Sequence, residues 1–335
     1  MEEADTEEPP HPDDRAGKPP VATLDLATVF STPSRADKSA AEAAARGHLE
    51  QEKWVRILQQ GIHAFHAKHP DKFQRRLNRG VPAEHRWQVW KNALYFEAKV
   101  HPGRYNELCG STCKWAHLID MDTPRTFFDT SRFDDAHRES LRRVLYAYSI
   151  YNPEVGYCQG MNFIVGILLL VSCCAEEETF WMFACLMEDH SLHGFYQEKF
   201  PLLHRYLHVF GQLVESQLPD LGEHFRQENL QPSDYLQQWF LTLFVNILPL
   251  PTVLIIWDSI MCKGLPVLLH TTVVLLKSVE HVLLAMPFEN IMQFFREMKS
   301  CKAEADAIAI GQMLMKKGSE IKIPPGVLQQ LVSDS

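Results

Sequence analysis

The sequence predicts an all-α protein built from a dozen or more helices. Apolar residues recur at helical spacing along most of the 335 residues. No stretch alternates apolar and polar residues in the way that a half-buried strand does. With 46% hydrophobic and 22% charged residues, the chain has the composition of a folded protein with a sizeable core. Helices packed against helices are therefore the expected architecture.

An acidic tail and a set of lead-in helices are predicted before the main domain. Residues 1–36 are rich in Pro, Asp, Glu, Ser and Thr and poor in aromatic residues, which is typical of disorder. The Ala- and Glu-rich run at 37–46 favours a helix, which Trp54 and Leu58 extend at helical spacing. We therefore place lead-in helices at 37–78.

The main domain is predicted at 79–300 and consists of buried helices. Apolar periodicity, with Pro and Gly at the breaks, places these helices in chain order at Ala83–Tyr95, Ala136–Tyr151, Met161–Cys174, Glu178–Met187, Phe200–Val214, Trp239–Ile247, Leu250–Met261, Leu265–Ala285 and Glu289–Met298. The remaining segment, 301–335, is predicted to hold a C-terminal helix and a loose tail, because Gly318–Ser335 is weakly patterned.

Charge and cysteine content exclude several classes of protein. The formal net charge is −9, and residues 1–50 contribute −6 of it through 11 acidic and five basic side chains. The remainder is nearly neutral, whereas a general nucleic-acid binder needs a basic surface. Eight cysteines are too few for a disulfide scaffold, and the acidic start lacks the features of a signal peptide. We therefore expect a cytoplasmic protein with reduced thiols.

No stretch is predicted to cross a membrane. The longest apolar runs, Trp239–Ile260 and Leu265–Met286, are interrupted by prolines or carry charged residues. Buried helices of a large core account for both runs.

Common catalytic and metal-binding patterns are absent from the sequence. It contains no Gly-Lys-Ser/Thr phosphate loop, no Gly-x-Gly-x-x-Gly and no Gly-x-Ser-x-Gly. Cys109, Cys113 and His117 would share one face of a single helix, but zinc needs a fourth ligand. Cys158 has no assignable base that would make it a nucleophile. We therefore expect no metal and no cofactor of the chain's own.

The first informative segment is 119–127. Pro124 restricts the backbone of Thr123, which indicates a turn or a helix start. An arginine held in such a turn, as Arg125 would be, can point outward in a fixed direction. The alternative is a structural ion pair between Arg125 and Asp122.

The second informative segment is 156–162, with the sequence Gly-Tyr-Cys-Gln-Gly-Met-Asn, directly before a buried helix. Gly156 and Gly160 would permit close backbone approach by a partner. The amide of Gln159 offers both a donor and an acceptor, which orienting a water molecule requires. The alternative is a helix-entry loop with a polar cap.

Together the two segments suggest a contribution to GTP hydrolysis on a small GTPase. An arginine supplied by a second protein stabilises charge on the transferring phosphoryl group, and a glutamine amide positions the attacking water. The sequence offers one candidate for each role, Arg125 and Gln159.

These segments resemble the motifs of the TBC domain, the GTPase-activating domain that acts on Rab GTPases. The matches are Arg-x-x-x-Trp at Arg86 and Trp90, Ile-x-x-Asp-x-x-Arg at Ile119, Asp122 and Arg125, and Tyr-x-Gln at Tyr157 and Gln159. Further similarity surrounds Trp54 upstream and Trp257-Asp258 downstream, so that the resemblance covers roughly 50–300. Each motif alone is weak, but their order and spacing together are highly specific.

The resemblance implies an all-α fold of two helical subdomains and a GTP-loaded Rab GTPase as the partner. Arg125 would be the arginine finger, and Gln159 would be a glutamine finger that stands in for the GTPase's own glutamine. GTP and Mg²⁺ would belong to the Rab. The chain would then be an activator that completes another protein's active site, rather than an enzyme with its own turnover, and it would act in vesicle trafficking.

The resemblance also implies supporting roles. The supporting or partner-binding positions are Arg86, Trp90, Ile119, Asp122, Gly156, Tyr157 and Gly160. Arg86, Trp90 and Asp122 would brace the loop that carries the arginine finger. Tyr157 would support the glutamine loop and touch the partner.

Two positions depart from the family pattern. Ile255 stands where an arginine is frequent, and Phe128 stands where a proline is frequent. Because both finger residues are present, an active GTPase activator is expected. The alternative is a catalytically silent Rab-binding or scaffolding module of the same fold.

The basic segment 72–91 favours binding to an acidic GTPase surface or to anionic lipid, and thus peripheral membrane association. The alternative is that this segment is a solvated helix face.

Overall fold

The computed structural model describes residues 40–111, 113–127, 132–301 and 303–332. Within these ranges the chain forms 17 α-helices, three short 3₁₀ segments and no strand. The α-helices are α1 Ala40–Gln60, α2 Ile62–Lys68, α3 Pro70–Leu77, α4 Ala83–Ala93, α5 Arg104–Cys109, α6 Ala116–Asp122, α7 Asp135–Tyr151, α8 Met161–Val171, α9 Glu176–Asp189, α10 Pro201–Gln217, α11 Pro219–Gln227, α12 Pro232–Leu241, α13 Leu250–Lys263, α14 Val267–Leu283, α15 Phe288–Glu297, α16 Glu304–Gly318 and α17 Pro325–Val332. The 3₁₀ segments are Phe96–Ala98, Thr123–Arg125 and Leu192–Phe195. The predicted all-α fold is confirmed.

The predicted acidic tail at 1–36 lies outside the described residues. The lead-in helix is continuous from Ala40 to Gln60, and Trp54 is fully buried on it. The boundaries at 79 and 300 stay predictions.

The predicted helix Trp239–Ile247 is wrong over most of its length. Helix α12 ends at Leu241, and the following residues Leu243 and Phe244 have positive φ angles of 45° and 67°. The backbone leaves the helix because its polar groups find other partners. The Phe244 N–H donates to the Trp239 carbonyl at 2.8 Å, and the Leu243 carbonyl accepts from the Trp257 indole at 3.0 Å.

The predicted loose tail after Gly318 is also wrong, because the chain there forms α17, which packs against α10. Helix α16 packs closely along α13. The Thr252 hydroxyl donates to the Ala307 carbonyl at 2.6 Å, and Gly311 on α16 faces the Cα of Thr252. The C-terminal segment therefore shares the hydrophobic core, where its Ile310 and Leu314 are fully buried.

Three mutually packed helices, α7, α8 and α9, form the support for the two informative segments. Helix α8 is the most apolar of them, and most of its residues are buried. At Gly166 on α8, a Cβ atom would overlap the ring of Phe127. The glycine thus lets the turn after Arg125 lie directly against α8, the helix that follows the loop carrying Gln159.

None of the helices in the described part of the chain combines the length and apolarity that crossing a bilayer requires.

Candidate functional site

Arg125 is the last residue of the 3₁₀ segment Thr123–Arg125, which directly continues helix α6. Its guanidinium Nη2 donates to Oδ1 of Asp122, and the two form an ion pair. The Asp122 side chain is 5% exposed, whereas that of Arg125 is 55% exposed. The structural ion pair and the outward arginine, which the sequence offers as alternatives, are therefore both present in one arrangement.

Asp122 is fixed by further hydrogen bonds. Its second carboxylate oxygen accepts from the Tyr157 hydroxyl, and its backbone carbonyl accepts from Thr126 Oγ1 at 2.8 Å. Ile119, one turn earlier on α6, is fully buried and anchors the helix. Burial, together with the bond to Asp122, raises the pKa of Tyr157 well above its usual value, so the hydroxyl keeps its proton and donates.

Gln159 is exposed at the tip of the loop between α7 and α8. It borders an open cavity of about 450 Å³ that lies between the start of α8 and helix α12. Two glutamines of α12, Gln237 and Gln238, line the same cavity. The side-chain amide of Gln159 is thus available at the surface, as the sequence predicts.

The two glycines that flank Gln159 allow other parts of the chain to pack closely against this loop. Gly156 has φ +63°, and a Cβ there would overlap the indole of Trp115. Gly160 has φ +115°, and a Cβ there would lie 2.8 Å from the Leu241 carbonyl oxygen. At both glycines the chain itself makes a close approach, and approach by a partner stays a prediction.

A second hydrogen-bonded bridge joins the two segments through Asn162, a residue that sequence reasoning does not single out. Its Nδ2 donates to Thr126 Oγ1 at 2.8 Å, and its Oδ1 accepts from the Gly160 backbone N–H at 2.9 Å. Thr126 follows Arg125, and Gly160 follows Gln159. Asn162 is 1% exposed in the first turn of α8. The sequence feature that could have indicated this role is a polar asparagine in the first turn of a very apolar helix, because a buried amide needs hydrogen-bond partners.

Tyr157 is 6% exposed and its hydroxyl donates to Asp122, whereas its predicted contact with a partner stays a prediction. Among the described residues, Tyr157 and Asn162 link the arginine turn to the glutamine loop by hydrogen bonds. The exposed ends of Arg125 and Gln159 therefore sit on two segments whose buried bases are bonded to each other.

Arg86 and Trp90 do not brace the arginine turn, contrary to the prediction. Both donate to Asp258 on α13: Arg86 Nε at 3.0 Å and Trp90 Nε1 at 2.9 Å from Oδ1. The Val81 N–H donates to the other oxygen at 2.7 Å. Asp258 is fully buried, and its hydrogen bonds with these three residues join helix α4 and the connection before it to α13.

The basic segment 72–91 is largely neutralised within the chain. Its side chains in ion pairs are Arg76 and Arg79 with Glu50, Arg86 with Asp258, and Lys91 with Glu178. These pairs favour the structural interpretation of the segment over a free cationic surface.

Cys109 ends α5, Cys113 follows in the connection and His117 lies on α6, so these residues do not share one helix. In the described ranges no group of three or more His, Cys, Asp or Glu side chains is arranged to hold a metal ion. Burial, with a smaller effect of Asp122, raises the pKa of the Cys158 thiol to about 11. A thiol with that pKa is protonated at neutral pH and is a poor nucleophile.

The Rab-GTPase-TBC domain model of known protein families matches residues 83–284. The chain belongs to the Rab-GTPase-TBC family. The matched range contains Arg86, Asp122, Arg125, Tyr157 and Gln159.

Curated relatives place this TBC chain among proteins of very different lengths. A human protein named "Ecotropic viral integration site 5 protein homolog" is 31% identical over 257 residues, which are 75% of this chain and 31% of the relative. The Caenorhabditis elegans "Rab GTPase-activating protein eat-17" is 29% identical over 80% of this chain and 30% of the relative. The chain thus spans about a third of the length of these two. The Xenopus laevis "Growth hormone-regulated TBC protein 1" is 33% identical over 73% of both chains.

Solved structures share the TBC fold. The Chlamydomonas flagellar RabGAP TBC domain superposes with a TM-score of 0.69 at 25% identity, covering 84% of this chain and 96% of that one. The Ypt/Rab-GAP domain of Gyp1p gives a TM-score of 0.66 at 20% identity, covering 86% and 99%. At that identity the second match concerns the fold alone.

Of the two residues that depart from the TBC pattern, the structure describes one, Ile255. Ile255 is 3% exposed and packs against Gly80 and Gly311, so it fills space between α13, α16 and the connection before α4. Phe128 lies outside the described residues.

Proposed function

We propose that this chain is a GTPase-activating protein for one or more Rab-family GTPases. Membership of the TBC family supports this, as does the similarity to a relative that is itself named a Rab GTPase-activating protein. GTP and Mg²⁺ would be bound by the partner, and this chain would contribute side chains to the partner's active site. Through its partner it would be recruited to endomembranes and act in vesicle trafficking.

Arg125 is proposed as the arginine finger. Negative charge on the transferring phosphoryl group is what limits hydrolysis, and a guanidinium placed beside it lowers the barrier. Arginine carries five N–H donors, so the bond to Asp122 leaves donors for phosphoryl oxygens. The buried Asp122 restricts the guanidinium before the partner arrives, which reduces the entropy lost on forming the transition state.

Gln159 is proposed as the residue that orients the attacking water. Its amide can accept a hydrogen bond from the water through Oε1 and donate through Nε2. Its exposed position on a loop bounded by two constrained glycines favours a defined direction for the side chain.

The observation that carries this mechanism is the double link between the two segments. The bond from Tyr157 to Asp122 and the chain of bonds from Thr126 through Asn162 to Gly160 restrict how far one loop can move relative to the other. Two groups that act on the same phosphoryl centre need such a fixed spacing, because small displacements strongly reduce catalysis.

We also propose that Leu118 and Met121 on α6 contact the bound GTPase. Both side chains are more than half exposed, at 51% and 57%, and they lie on the helix that leads into Arg125. Exposed apolar side chains beside a reactive group suit a protein partner. Met121→Ser should raise the KM for the GTPase and leave kcat near wild type. A fall in kcat with KM unchanged would contradict a contact role.

The test of the function is single-turnover GTP hydrolysis across a panel of purified Rabs, comparing the wild type with Arg125→Ala and Gln159→Ala. Two matched controls exist. Arg104 is 51% exposed and forms an ion pair with Glu107 at the same three-residue separation, and Gln237 lines the cavity beside Gln159. We expect acceleration of one or a few Rabs that both finger variants lose and that Arg104→Ala and Gln237→Ala retain.

Two outcomes would overturn parts of the proposal. Full acceleration by Arg125→Ala would eliminate the arginine mechanism. Binding of a GTP-loaded Rab without acceleration of any Rab would identify a catalytically silent binding module instead.

A further inference from the structure

Trp115 stands at the entry of the helix that leads into the arginine turn. Its backbone carbonyl accepts from the Ile119 N–H at 3.1 Å, so it is the residue from which α6 starts. The same helix ends at Asp122, the aspartate that holds Arg125. The backbone position of Trp115 is therefore tied to that of the arginine turn.

The indole of Trp115 lies directly on the first residue of the glutamine loop, Gly156. A Cβ atom at Gly156 would come within 2.1 Å of the ring atom Cζ2 and 2.2 Å of Cε2. No other glycine of the described chain has a neighbour that close to its Cβ position. The indole therefore fills the space that a side chain at position 156 would need, and it contacts the loop backbone itself.

Helix α6 thus meets the glutamine loop at both of its ends. At its start Trp115 packs on Gly156, and at its end Asp122 accepts from the Tyr157 hydroxyl. Gly156 and Tyr157 are consecutive, and Gln159 follows two residues later. The entry of the loop is therefore restrained by one apolar contact and one hydrogen bond, both to the helix that leads into the arginine turn.

The surroundings of the ring distinguish Trp115 from a core tryptophan. Of the seven tryptophans, five are buried, whereas Trp115 and Trp87 are partly exposed. Trp115 borders an open depression of about 410 Å³, and the Lys114 ammonium lies 4.1 Å from the centroid of its ring. A cation over an aromatic face is attractive, so Lys114 helps to hold the ring in place. Because the core does not fully enclose the ring, its tight contact with Gly156 is the feature that calls for a function.

We propose that Trp115 is a positioning residue for Gln159. By packing on Gly156 it fixes the entry of the glutamine loop relative to α6, and hence the distance between the Gln159 amide and the Arg125 guanidinium. A side chain that acts on a reacting centre must be supported by neighbours whose own positions are locked by packing. The catalytic part of this proposal rests on the proposed GTPase-activating function, whereas its structural part can be tested on the free chain.

The first test is hydrogen exchange on the full chain alone, which needs no GTPase. The Gly156 N–H donates to the Asn152 carbonyl at 2.8 Å and the Gly160 N–H donates to Asn162 Oδ1 at 2.9 Å, so both amides report on the loop. We expect Trp115→Ala to speed exchange of these amides at least about tenfold, because local opening becomes easier. A loss of global stability alone would instead speed exchange of the slowest amides of the core and leave local opening of the loop unchanged.

The second test is single-turnover GTP hydrolysis on a Rab that the wild type accelerates. Trp115→Ala should lower kcat by about ten- to hundredfold, since a displacement on the order of 1 Å can have that effect, and KM should change by less than about twofold. Trp115→Phe, which keeps an aromatic ring, should recover most of the loss in kcat and most of the protection of the loop.

Trp87→Ala is the matched control. Trp87 is the other partly exposed tryptophan, and its indole donates to Glu178 on α9 at 2.6 Å. The substitution removes a ring of the same size and a hydrogen bond as well, but it leaves the contact with Gly156 in place. It should leave kcat and the exchange of the loop amides at wild-type values.

Three results would overturn the proposal. Unchanged exchange of the loop amides in Trp115→Ala would show that the indole does not restrain the loop. A raised KM with unchanged kcat would make Trp115 a contact for the partner instead. An equal loss of kcat in Trp87→Ala would make the effect one of general stability. If the wild type accelerated no Rab while Trp115→Ala still loosened the loop selectively, the proposed function would fail and the structural part would stand.

Discussion

Two aspartates in this molecule each hold an arginine, and they do so in opposite settings. Asp122 pairs with Arg125, whose side chain is 55% exposed, and Asp258 pairs with Arg86, whose side chain is 11% exposed. Both carboxylates are themselves buried. The same chemical pair therefore presents a guanidinium to the outside in one place and cross-links two helices in the other.

The difference shows that arginines in two matching motifs can have unlike structural settings. Arg86 and Arg125 both lie in motifs that resemble those of the TBC family, but only the Arg125 side chain is exposed at the surface. Breaking an exposed ion pair changes the free energy of unfolding by about 0–1 kcal/mol, whereas removing one partner of a buried pair costs about 3–5 kcal/mol. Under the proposed mechanism, we therefore expect Arg125 to matter mainly for activity and Arg86 mainly for stability.

The largest effect is expected for Arg125→Ala. Removal of an arginine finger reduces hydrolysis by about 10³–10⁵-fold in related systems. The free energy of unfolding should fall by no more than about 1 kcal/mol, because the lost pair is exposed on the arginine side. Single-turnover hydrolysis and urea denaturation on the same preparation would measure both. A large loss of stability would show that the arginine is structural and would remove the contrast with Arg86.

The second-largest effect is expected for Asp258→Ala, which should lower the free energy of unfolding. The substitution removes the acceptor of Arg86 Nε, Trp90 Nε1 and the Val81 N–H, so the free energy of unfolding should fall by about 3–5 kcal/mol. Urea denaturation would measure it. Glu223→Ala, which breaks the exposed pair with Arg226, is the control and should change stability by less than about 1 kcal/mol. Equal stability of the two variants would contradict the comparison.

A smaller effect on both properties is expected for Asn162→Ala, which removes the bridge between the two segments. A double-mutant cycle with Thr126→Val tests the coupling, because Asn162 Nδ2 donates to the Thr126 hydroxyl. We expect an interaction energy of about 0.5–3 kcal/mol in the activation free energy of GTP hydrolysis. Thr126→Ser, which keeps the hydroxyl, should retain the coupling. Additive effects would mean that the two loops act independently.

The sequence predicts the exposed side chains of the candidate site better than the buried residues that hold them in place. Arg125 and Gln159 could be found because each lies in a short motif with a characteristic spacing. The partner of Arg86 could not be found in that way, since Asp258 lies 172 positions away and becomes a neighbour only when α4 packs on α13. Asn162 and Thr126 are 36 positions apart, and they become neighbours where Phe127 packs against Gly166.

The same limit applies to the fold. Helical periodicity identifies long helices such as α7 and α14, because many turns repeat the pattern. It fails at residues 242–248, where the apolar pattern continues although the backbone leaves the helix. The Leu243 carbonyl bonds to the Trp257 indole there, and a contact between distant residues overrides the local preference.

The smallest effect is expected for Tyr157→Phe, which removes one of the bonds to Asp122 and keeps the buried ring. Asp122 would retain Arg125 and lose the hydroxyl that fixes its second oxygen. A hydrogen bond to a charged group contributes about 1.5–3 kcal/mol, and part of it would appear as lost stability and part as a less restricted Arg125. We expect GTP hydrolysis to slow by about tenfold, which corresponds to about 1.4 kcal/mol. Tyr146→Phe is the control, because the Tyr146 hydroxyl donates to Asp120 in an exposed pair on the neighbouring face. If both variants kept full activity, the link through Asp122 would be structural alone, and Asn162 would be the bond that holds the two fingers at their spacing.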